Sequence, residues 1–553
     1  MKNKHVDFYI NQYKNGEIKV SRYVVQLFSH LKKKVLNRDD VYFDVEMHEN
    51  YITFAEKYYF PLQPFQKFLT AFIFLFHKED NTPVYSSFFW FMGRGAGKNG
   101  LISTIANFMT SELHGIKGYD VPLVANSEAQ ARTSFDEIRA VMKSSEHEDA
   151  FKGIYDAKAS EIVSLTGHGK IEFLTSNAKT KDSRRDGMII YDEIHEYLDG
   201  TIVDVFTSGL GKIRNSREFF LSTDGFVRGG YLDGMKQRSR DILNGDVEDS
   251  SLFPFMATLD SDAEIEDIDM WQKANPMYAE PMSAYAKEHK RKAVEQYRNL
   301  KYEGISERIN FMTKRMNRPA EDLTTSVASW EEILRTGYEE DEKTLREIPD
   351  LKNQSAIGGL DFASIRDFAA VGLLFKINNE YIWKSHSFVN AEFLRNIELK
   401  APINEWEEKG LLTIVDEKVI SVDHIVDWFV EMREQYNFDT IVADTFRLDL
   451  VKSKLEEEGF NIMYVRTKGI EALLAPRIET IFAENRVIFG DNPLMRWYTN
   501  NVKVTTDAKG NRTYGKKDEV RRKTDGFMAF IHAMYRDDLI ENDAEFMLDE
   551  IDF

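Results

Sequence analysis

The chain has 553 residues, which at about 100–200 residues per domain predicts two to four domains. It contains no cysteine, which excludes disulfides, thiolate metal sites and cysteine nucleophiles. The net charge of −20 argues against binding nucleic acid over the whole surface, although a local basic patch can still bind it. The N-terminal residues are charged throughout and no apolar run approaches the ~20 residues that span a bilayer, so we expect neither a signal peptide nor a membrane role.

Short apolar runs alternate with helical stretches in two parts of the chain, which a long, charged and mainly helical segment separates. This alternation predicts α/β domains, the first with a mostly parallel sheet. The predicted divisions are a helical N-terminal segment (1–50), a first α/β domain (51–259), a helical subdomain and connector (260–350), a second α/β domain (351–540) and an acidic C-terminal tail (541–553). The predicted buried strands are Val84–Met92, Val121–Val124, Ile171–Leu174, Met188–Tyr191, Phe219–Ser222, Ile357–Leu360, Ala369–Phe375, Tyr381–Phe388 and Thr440–Ala443.

The first of these strands runs into a glycine-rich loop at residues 93–100, GRGAGKNG, which a helix-like segment follows. This layout binds nucleotide phosphates. Gly95 and Gly97 let backbone N–H groups surround the phosphates, the helix N-terminus adds positive charge, and Lys98 reaches the β- and γ-phosphates. The loop departs from the strict motif, because Met92 replaces its first glycine and Asn99 replaces the hydroxyl residue that contacts Mg²⁺. Taken alone, it is also compatible with a glycine-rich turn.

A second apolar strand, Met188–Tyr191, ends in the acid pair Asp192 and Glu193. In P-loop ATPases the first acid holds Mg²⁺, and we assign the second to polarising the attacking water. Solvated acids at a strand end are a common alternative. Together with the loop, in this order and on predicted strands, the pair predicts a site for ATP and Mg²⁺.

Segments on either side of these motifs fit a motor. The amide of Gln66, in the segment before the loop, offers both a donor and an acceptor and can read the adenine edge. The strand Phe219–Ser222 ends in small polar residues, and we predict that Ser222 and Thr223 form a coupling segment that responds to the γ-phosphate. The alternative for the segment with Gln66 is an ordinary turn, and the alternative for Ser222 and Thr223 is an ordinary strand end.

Three aspartates in the second α/β domain are candidates for nuclease chemistry. Asp361 and Asp444 end predicted buried strands, Asp525 begins an apolar helix, and Asp367 lies close in sequence to the first. A carboxylate on a central strand is costly unless a partner or a metal compensates it. In an RNase-H-like order of strands, the three can hold two Mg²⁺ or Mn²⁺ ions that activate a water and stabilise the leaving oxygen of a phosphodiester. Each aspartate taken singly is also compatible with a capping or solvated residue.

A local excess of positive charge lies beside the third aspartate. Residues 503–523 contain eight basic and three acidic residues, a net charge of +5 in a chain whose total is −20. Val502–Thr506 and Arg512–Tyr514 predict a β-hairpin. A basic hairpin beside metal-binding carboxylates predicts contact with the DNA backbone, and a solvated loop is the alternative. The candidate DNA-binding residues are Lys503, Arg512, Lys516, Lys517, Arg521 and Arg522.

In their order along the chain, these motifs resemble the large terminase subunit of tailed double-stranded DNA bacteriophages. The resemblance covers nearly the whole chain, from about Phe60 to Tyr535. The motifs that carry it are Gln66, GRGAGKN, Asp192-Glu193, LSTDG, Trp271 with Asn275-Pro276, LDFASIRD, the strand ending at Asp444, WYTNNV and KTDGFMA.

The resemblance implies an ASCE-type P-loop ATPase domain, a helical connector and an RNase-H-like α/β nuclease domain. The implied enzyme uses ATP and Mg²⁺ to move double-stranded DNA into the procapsid, and cuts concatemeric DNA with two Mg²⁺ or Mn²⁺ ions. In that family an arginine of the loop, matching Arg94, senses the γ-phosphate. A neighbouring subunit also supplies a trans arginine, for which Arg132 and Arg139 lie in the right stretch.

The resemblance also implies partners and a location. The partners are double-stranded DNA, a small terminase subunit, the portal protein and further copies of the chain in a ring, with a monomer as a possible free form. The location is the host cytoplasm and, transiently, the procapsid portal, but not the mature virion.

Two alternatives remain at this point. A non-viral P-loop DNA translocase or helicase-nuclease would share both sites, and would unwind duplexes without a portal. A DNA-binding scaffold with an inactive nuclease site is the other alternative, and the presence of all three aspartates argues against it.

Overall fold

The computed structural model describes residues 2–175, 184–228, 230–247, 251–319, 325–339, 344–362, 367–397, 399, 401–445, 449–507, 510–517 and 522–540. The chain forms two compact units, Met1–Ala320 and Glu321–Phe553. This boundary falls inside the segment 260–350, and the predicted tail 541–553 lies outside the described residues. Within the described ranges, no helix is both long and apolar enough to cross a membrane.

The first unit is built on an eight-stranded sheet, beside a two-stranded sheet of β1 and β2. Its strands are β1 (Val41–Phe43), β2 (Leu75–His77), β3 (Ser87–Phe91), β4 (Val121–Ala125), β5 (Tyr155–Ala157), β6 (Glu161–Ser164), β7 (Lys170–Thr175), β8 (Met188–Tyr191), β9 (Arg217–Ser222) and β10 (Leu252–Met256). Its helices are α1 (Lys4–Lys14), α2 (Arg22–Lys34), α3 (Val45–Tyr58), α4 (Pro64–Ala71), α5 (Lys98–Thr110), α6 (Glu128–Met142), α7 (Glu148–Phe151), α8 (Thr201–Thr207), α9 (Tyr231–Asn244), α10 (Ala284–Asn299) and α11 (Ile305–Asn310), with a π-helical turn at Phe311–Arg315.

The strand order of the large sheet is β10-β3-β9-β8-β4-β7-β6-β5. Strands β10 to β7 run parallel, and β6 and β5 extend the sheet in antiparallel fashion. Central strands such as β8, MIIY, are unbroken apolar runs, because a parallel strand is buried on both faces. The predicted strands and the mostly parallel sheet are confirmed, with small shifts at the strand ends.

The order of the central strands determines what meets at the edge of this sheet. Strand β9 lies between β3 and β8, and all three are parallel, so their carboxyl ends point to the same edge. The glycine-rich loop follows β3, the coupling segment follows β9 and the acid pair follows β8. Ligands of open parallel sheets bind at this edge.

The chain before and after this sheet packs into the same core. Val6 of α1 and Leu27 of α2 belong to the hydrophobic cluster that contains the sheet, as do Trp271 and Phe311 from the segment after β10. The N-terminal helices and the segment up to the π-helical turn therefore share the core of the first unit.

The second unit contains a mixed sheet with the strand order β14-β13-β12-β11-β15-β16, and β17 pairs with β13. Strands β11, β12 and β13 are antiparallel neighbours, whereas β15 and β16 run parallel to β11. The strands are β11 (Ala356–Asp361), β12 (Phe368–Ile377), β13 (Glu380–Asn390), β14 (Leu412–Val415), β15 (Thr440–Asp444), β16 (Asn461–Val465), β17 (Val487–Ile488), β18 (Val502–Thr506) and β19 (Arg512–Lys516). The helices are α12 (Trp330–Arg335), α13 (Ala391–Asn396), α14 (Ile403–Glu408), α15 (Val422–Arg433), α16 (Asp449–Glu457), α17 (Thr467–Ala483), α18 (Pro493–Asn501) and α19 (Asp525–Met534).

Helix α19 packs closely on strand β11, and Gly359 is the point of contact. A Cβ added at Gly359 would lie 2.2 Å from the carbonyl oxygen of Ala529 and 2.9 Å from the Trp383 ring. We therefore expect Gly359→Ala to push α19 from the sheet and to lower the free energy of unfolding by about 1–3 kcal/mol, the usual effect of overpacking a core. Thermal unfolding of the full chain measures this change.

The matched control is Gly469→Ala in helix α17, where a Cβ would meet nothing within 4 Å. Because alanine favours the helix, this control should leave stability unchanged or raise it by up to about 1 kcal/mol. Equal melting temperatures for Gly359→Ala and the wild type would show that α19 does not pack as described.

Candidate active sites of the two units

The loop between β3 and α5 has the backbone of a phosphate-binding loop. Gly95 and Gly97 have φ angles of +78° and +88°, a region that glycine enters without strain. Helix α5 begins at Lys98 with Gly97 as its N-cap, so its first N–H groups and the positive end of its dipole face the loop. The predicted order of strand, loop, lysine and helix is observed.

Lys98 and Asn99 connect this loop to the acid pair after β8. Lys98 is buried, and its Nζ donates to the carbonyl oxygens of Met92 at 2.8 Å and of Gly93 at 3.3 Å. Burial lowers the pKa of Lys98, and the nearby carboxylates partly oppose this shift. Asn99 Nδ2 donates to Asp192 Oδ2 at 3.0 Å. The two halves of the predicted ATP site therefore touch, although they lie far apart in the sequence.

The two acids of the pair are compensated unequally by positive charge. Burial raises the pKa of Asp192, and the adjacent Glu193 raises it further. Burial also acts to raise the pKa of Glu193, but the contact with His195 and the charge of Lys98 outweigh it and lower that pKa. His195 Nδ1 lies 3.0 Å from Glu193 Oε2 without the angle of a hydrogen bond, and this buried oxygen has no hydrogen-bond partner among the described residues. Oε2 of Glu193 therefore faces His195 Nδ1 without being saturated by it, and it can still accept a hydrogen bond from a bound water or ligand.

Gln66 lies against the glycine-rich loop. Its Oε1 accepts from the backbone N–H of Gln63 at 2.9 Å, in a capping box that starts helix α4 and fixes the amide. Its Nε2 would lie 3.8 Å from a Cβ added at Gly97. The structure therefore brings Gln66 to the glycine-rich loop, and the side-chain oxygen of Gln66 already accepts a hydrogen bond at the start of helix α4.

The coupling segment at the end of β9 contacts both neighbours. The backbone N–H of Met92 donates to the carbonyl oxygen of Ser222 at 3.1 Å. Ser222 Oγ accepts from the backbone N–H of His195 at 3.1 Å and donates to the carbonyl oxygen of Thr223 at 2.7 Å. Thr223 Oγ1 is buried, and no described residue forms a hydrogen bond with it. Ser222 and Thr223 therefore lie between the glycine-rich loop and the acid pair.

The three candidate arginines occupy different places. Arg94 is an exposed side chain on the loop. Arg132 on helix α6 lies near Glu128 and Asp136 of the same helix, at 3.7 Å and 3.5 Å. Arg139, on the same helix, has a buried Nε for which the described part of the chain offers no partner. Arg132 and Arg139 both stay candidates for the trans arginine.

His195 and Lys314 complete this site, and sequence patterns did not indicate either of them as functional. Lys314 Nζ lies 2.9 Å from His195 Nε2, and the two residues are 119 positions apart. Burial lowers the pKa of Lys314 to about 8, with the charge of Arg94 acting in the same direction. No local motif spans such a separation, and only the folded chain shows the contact.

In the second unit, the structure places the three predicted aspartates near one another at one end of the sheet. Asp361 and Asp444 end the adjacent parallel strands β11 and β15, and Asp525 begins helix α19. Burial raises the pKa of Asp361 well above its ordinary value, and the charges of Asp525 and Asp444 raise it further. Burial also raises the pKa of Asp525, and Asp367 adds to that shift. The acids are therefore close enough to repel one another.

Neighbouring side chains orient these acids. The hydroxyl of Thr467 donates to Asp444 Oδ2. The Nδ1 of His532 lies 2.8 Å from the carbonyl oxygen of Leu360, the residue before Asp361. The buried Lys523 is paired with the half-buried Asp367, whose charge acts on Asp525.

Lys516 on the hairpin also acts electrostatically on the acid cluster. Its charge acts on both Asp361 and Asp525 and opposes the rise in their pKa values. The sequence assigned Lys516 to the basic hairpin alone and did not place Asp367 and Lys523 at the site. The spacing along the chain gave no signal for these contacts.

The donor set fits a divalent cation. Asp525 Oδ2 is buried, and no hydrogen-bond partner for it exists among the described residues. A cation between the acids would relieve their repulsion and bind this oxygen, since carboxylates are the ligands that hard cations prefer. As the side chains stand, no group of three or more His, Asp or Glu residues in the described ranges is arranged to hold a metal ion. The aspartates would therefore have to draw together around it.

The predicted basic hairpin is confirmed as the antiparallel pair β18 and β19. Lys503 and Lys517 are exposed. Arg512 is paired with Glu479, and Arg522 Nη1 donates to Asn501 Oδ1 at 3.1 Å. The sixth predicted DNA-binding residue, Arg521, lies outside the described residues.

A unit with a phosphate loop, an acid pair and a coupling segment, followed by a unit with converging aspartates, defines an ATP-hydrolysing enzyme that also carries a nuclease site. The family model "Terminase large subunit, ATPase domain" matches residues 64–240, and "Terminase large subunit, endonuclease domain" matches residues 246–541. The chain belongs to the terminase large subunit family. It is the ATPase and endonuclease of phage DNA packaging, and this membership favours the packaging enzyme over a non-viral translocase.

Individual relatives are distant but cover much of the chain. The terminase large subunit of Lactococcus phage p2 is 22% identical over 462 residues, which cover 80% of each chain. The large terminase subunit of Enterobacteria phage HK97 is 21% identical over 398 residues, covering 67% of this chain and 73% of the relative. The crystal structure of the HK97 bacteriophage large terminase aligns with a TM-score of 0.47 at 19% identity, covering 88% of this chain and 99% of that one.

Replacing Asp361 with Asn should stabilise the metal-free protein, because it removes one of the mutually repelling carboxylates. We expect the melting temperature of the second unit in EDTA to rise by about 2–4 °C, the shift that about 1 kcal/mol produces in a domain of this size. Mg²⁺ or Mn²⁺ should raise the melting temperature of the wild type, since a ligand that binds only the folded state stabilises it, but not that of the variant.

Asp427→Asn on helix α15 is the control, because Asp427 is exposed on the same unit. This variant should melt and respond to metal as the wild type does. A full metal-induced shift in Asp361→Asn would show that the cation binds elsewhere.

Proposed function

We propose that Lys98, Asp192 and Glu193 carry out the ATP hydrolysis that drives double-stranded DNA into the procapsid. The hydrogen bond between Asn99 and Asp192 carries this proposal, because it joins the phosphate loop to the acid pair. The order of strands β3, β9 and β8 supports the proposal, since it puts the coupling segment after β9 between the phosphate loop and the acid pair.

Each residue of the ATP site has a distinct proposed role. Lys98 exchanges the carbonyl oxygens of its own loop for the β- and γ-phosphates. Asp192 and Asn99 would hold Mg²⁺, which neutralises charge on the phosphate oxygens when it is bound. Glu193 uses its free oxygen to orient the attacking water, and Gln66 contacts the adenine edge.

The remaining residues surround the γ-phosphate. Gly95 and Gly97 shape the loop around the phosphates. Arg94 acts as the sensor on the loop, while Ser222 and Thr223 transmit the change on hydrolysis to the rest of the motor. The unpartnered hydroxyl of Thr223 supports this assignment.

For the second unit, the proposal is that Asp361, Asp444 and Asp525 hold two Mg²⁺ or Mn²⁺ ions. When bound, such ions activate a water and stabilise the leaving oxygen of a phosphodiester. Thr467 fixes the orientation of Asp444, and Lys516 offsets part of the negative charge that a DNA phosphate adds. The unpartnered oxygen of Asp525 and the repulsion between the acids support this proposal.

The basic hairpin would hold the DNA backbone beside these acids, through the candidate residues Lys503, Arg512, Lys516, Lys517, Arg521 and Arg522. The small terminase subunit, the portal protein and further copies of this chain in a ring complete the proposed machine. We place it in the host cytoplasm and, during packaging, at the procapsid portal.

Separate variants of the two sites test the proposal. Lys98→Ala should abolish ATP hydrolysis and leave cleavage of supercoiled plasmid with Mn²⁺ intact. Asp525→Asn should abolish cleavage and leave ATP hydrolysis intact. Steady-state ATPase rates and gel assays of plasmid nicking measure the two activities. Loss of both activities in one variant that remains folded would contradict a model with two independent sites.

Charge reversal on the hairpin tests its interaction with DNA. Lys503→Glu combined with Lys517→Glu should weaken binding of double-stranded DNA. The plot of the logarithm of the binding constant against the logarithm of the salt concentration should become shallower, its slope losing about 0.9 in magnitude for each phosphate that the protein no longer neutralises. ATP hydrolysis without DNA should not change. Lys418→Glu, at an exposed position of the same unit outside the hairpin, is the matched control. An unchanged salt slope in the double variant would remove the hairpin from the DNA-binding surface.

A further inference from the structure

Lys314 is a buried lysine in an unusual backbone segment. It lies in the π-helical turn Phe311–Arg315, a rare conformation that is frequent at functional sites. Its residue exposure is 7%. Because a buried ammonium group is costly without compensating partners, the contacts of Lys314 indicate why it is there.

Three segments of the ATP site converge on this residue. Its carbonyl oxygen accepts from the backbone N–H of Arg94, in the glycine-rich loop, at 2.7 Å. Its Nζ donates at 2.8 Å to the carbonyl oxygen of Asp224, directly after the coupling segment. The same Nζ lies 2.9 Å from Nε2 of His195, which follows the acid pair. Lys314 thus joins the loop, the coupling segment and the acid-pair strand.

These contacts fix the tautomer of His195. The ammonium group of Lys314 can only donate, so His195 Nε2 accepts and Nδ1 carries the hydrogen. Ser222 gives independent support: its one hydroxyl hydrogen goes to Thr223, so its Oγ, 3.3 Å from Nδ1, must accept. The Nδ1–H group therefore lies between Ser222 Oγ and Glu193 Oε2, the latter at 3.0 Å.

We propose that Lys314 is a positioning residue for ATP hydrolysis, which holds His195 in this tautomer so that its Nδ1–H group sets the orientation of the Glu193 carboxylate. Because Nδ1–H faces both Glu193 and Ser222, Glu193 can turn to the attacking water while His195 stays bonded to the coupling segment. The bond from Arg94 to Lys314 links the same arrangement to the phosphate loop. The proposal rests on the role proposed above for Glu193.

Steady-state ATP hydrolysis by the full chain tests this role. Lys314→Met should lower kcat by roughly 10- to 100-fold, the loss that is typical when a residue that orients a metal-binding side chain is removed. KM for ATP and the affinity for a fluorescent ATP analogue should stay within about threefold, because binding does not use Glu193. Lys314→Arg, which keeps a cationic donor, should recover part of the activity.

A control and a double variant separate positioning from simple packing. Lys273→Met removes a lysine of the same unit that pairs with Asp260 and Glu264, and it should leave kcat unchanged. His195→Asn keeps an N–H group near the position of Nδ1 but cannot reach Lys314 as Nε2 does. In that background Lys314→Met should cause no further loss of activity, because the two residues act as one unit.

An unchanged kcat in folded Lys314→Met, or losses of activity that multiply in the double variant, would overturn the proposal. If the methionine variant does not fold, Lys314→Ala gives the same comparison, because alanine also removes the hydrogen-bond donor. Glu193→Gln distinguishes the two proposals. If Glu193→Gln still hydrolyses ATP, the proposed role of Glu193 is wrong. If Glu193→Gln loses hydrolysis while Lys314→Met keeps the normal rate, only the proposed role of Lys314 is wrong.

Discussion

Acidic side chains at the carboxyl ends of central strands, with too little fixed positive charge around them, are the feature on which both active sites depend. Asp192 follows β8 in the first unit, and Asp361 and Asp444 end adjacent parallel strands in the second. Removing a carboxylate from water without a full partner is costly, and a cation that arrives with the substrate offsets the cost. The strand order of each sheet determines which acids lie close together, so the positions of the candidate active sites follow from the topology of the fold.

A compensated acid in the same unit shows the difference. Asp224 is fully buried, but Arg228 lies 3.1 Å away and Lys236 lies 3.2 Å away. Burial alone would raise the pKa of Asp224, and these two cations lower it instead. Asp525 is buried to a similar degree, yet its pKa is raised and one of its oxygens has no partner in the described part of the chain. Asp224 is therefore satisfied within the fold, whereas Asp525 keeps the unmet charge on which the proposed cation site rests.

Sequence patterns predicted the strands and site residues that a local run of residues determines. Met188–Tyr191 was predicted to the residue, because a buried parallel strand is an unbroken apolar run and the acids mark its end. The edge strand Leu252–Met256 was not predicted, since Pro254 argues against a strand except at the edge of a sheet. The contact of His195 with Lys314 was also beyond prediction, because residues so far apart in sequence meet only through the packing of the whole unit.

Anomalous diffraction from crystals of the full chain, grown with Mn²⁺ and a slowly hydrolysed ATP analogue, tests the central claim most directly. The account predicts Mn²⁺ beside Asp192 at the nucleotide phosphates, and Mn²⁺ ligated by Asp361, Asp444 and Asp525 in the second unit. Saturating Mn²⁺ bound at other residues of the second unit, with these three aspartates unligated, would contradict it.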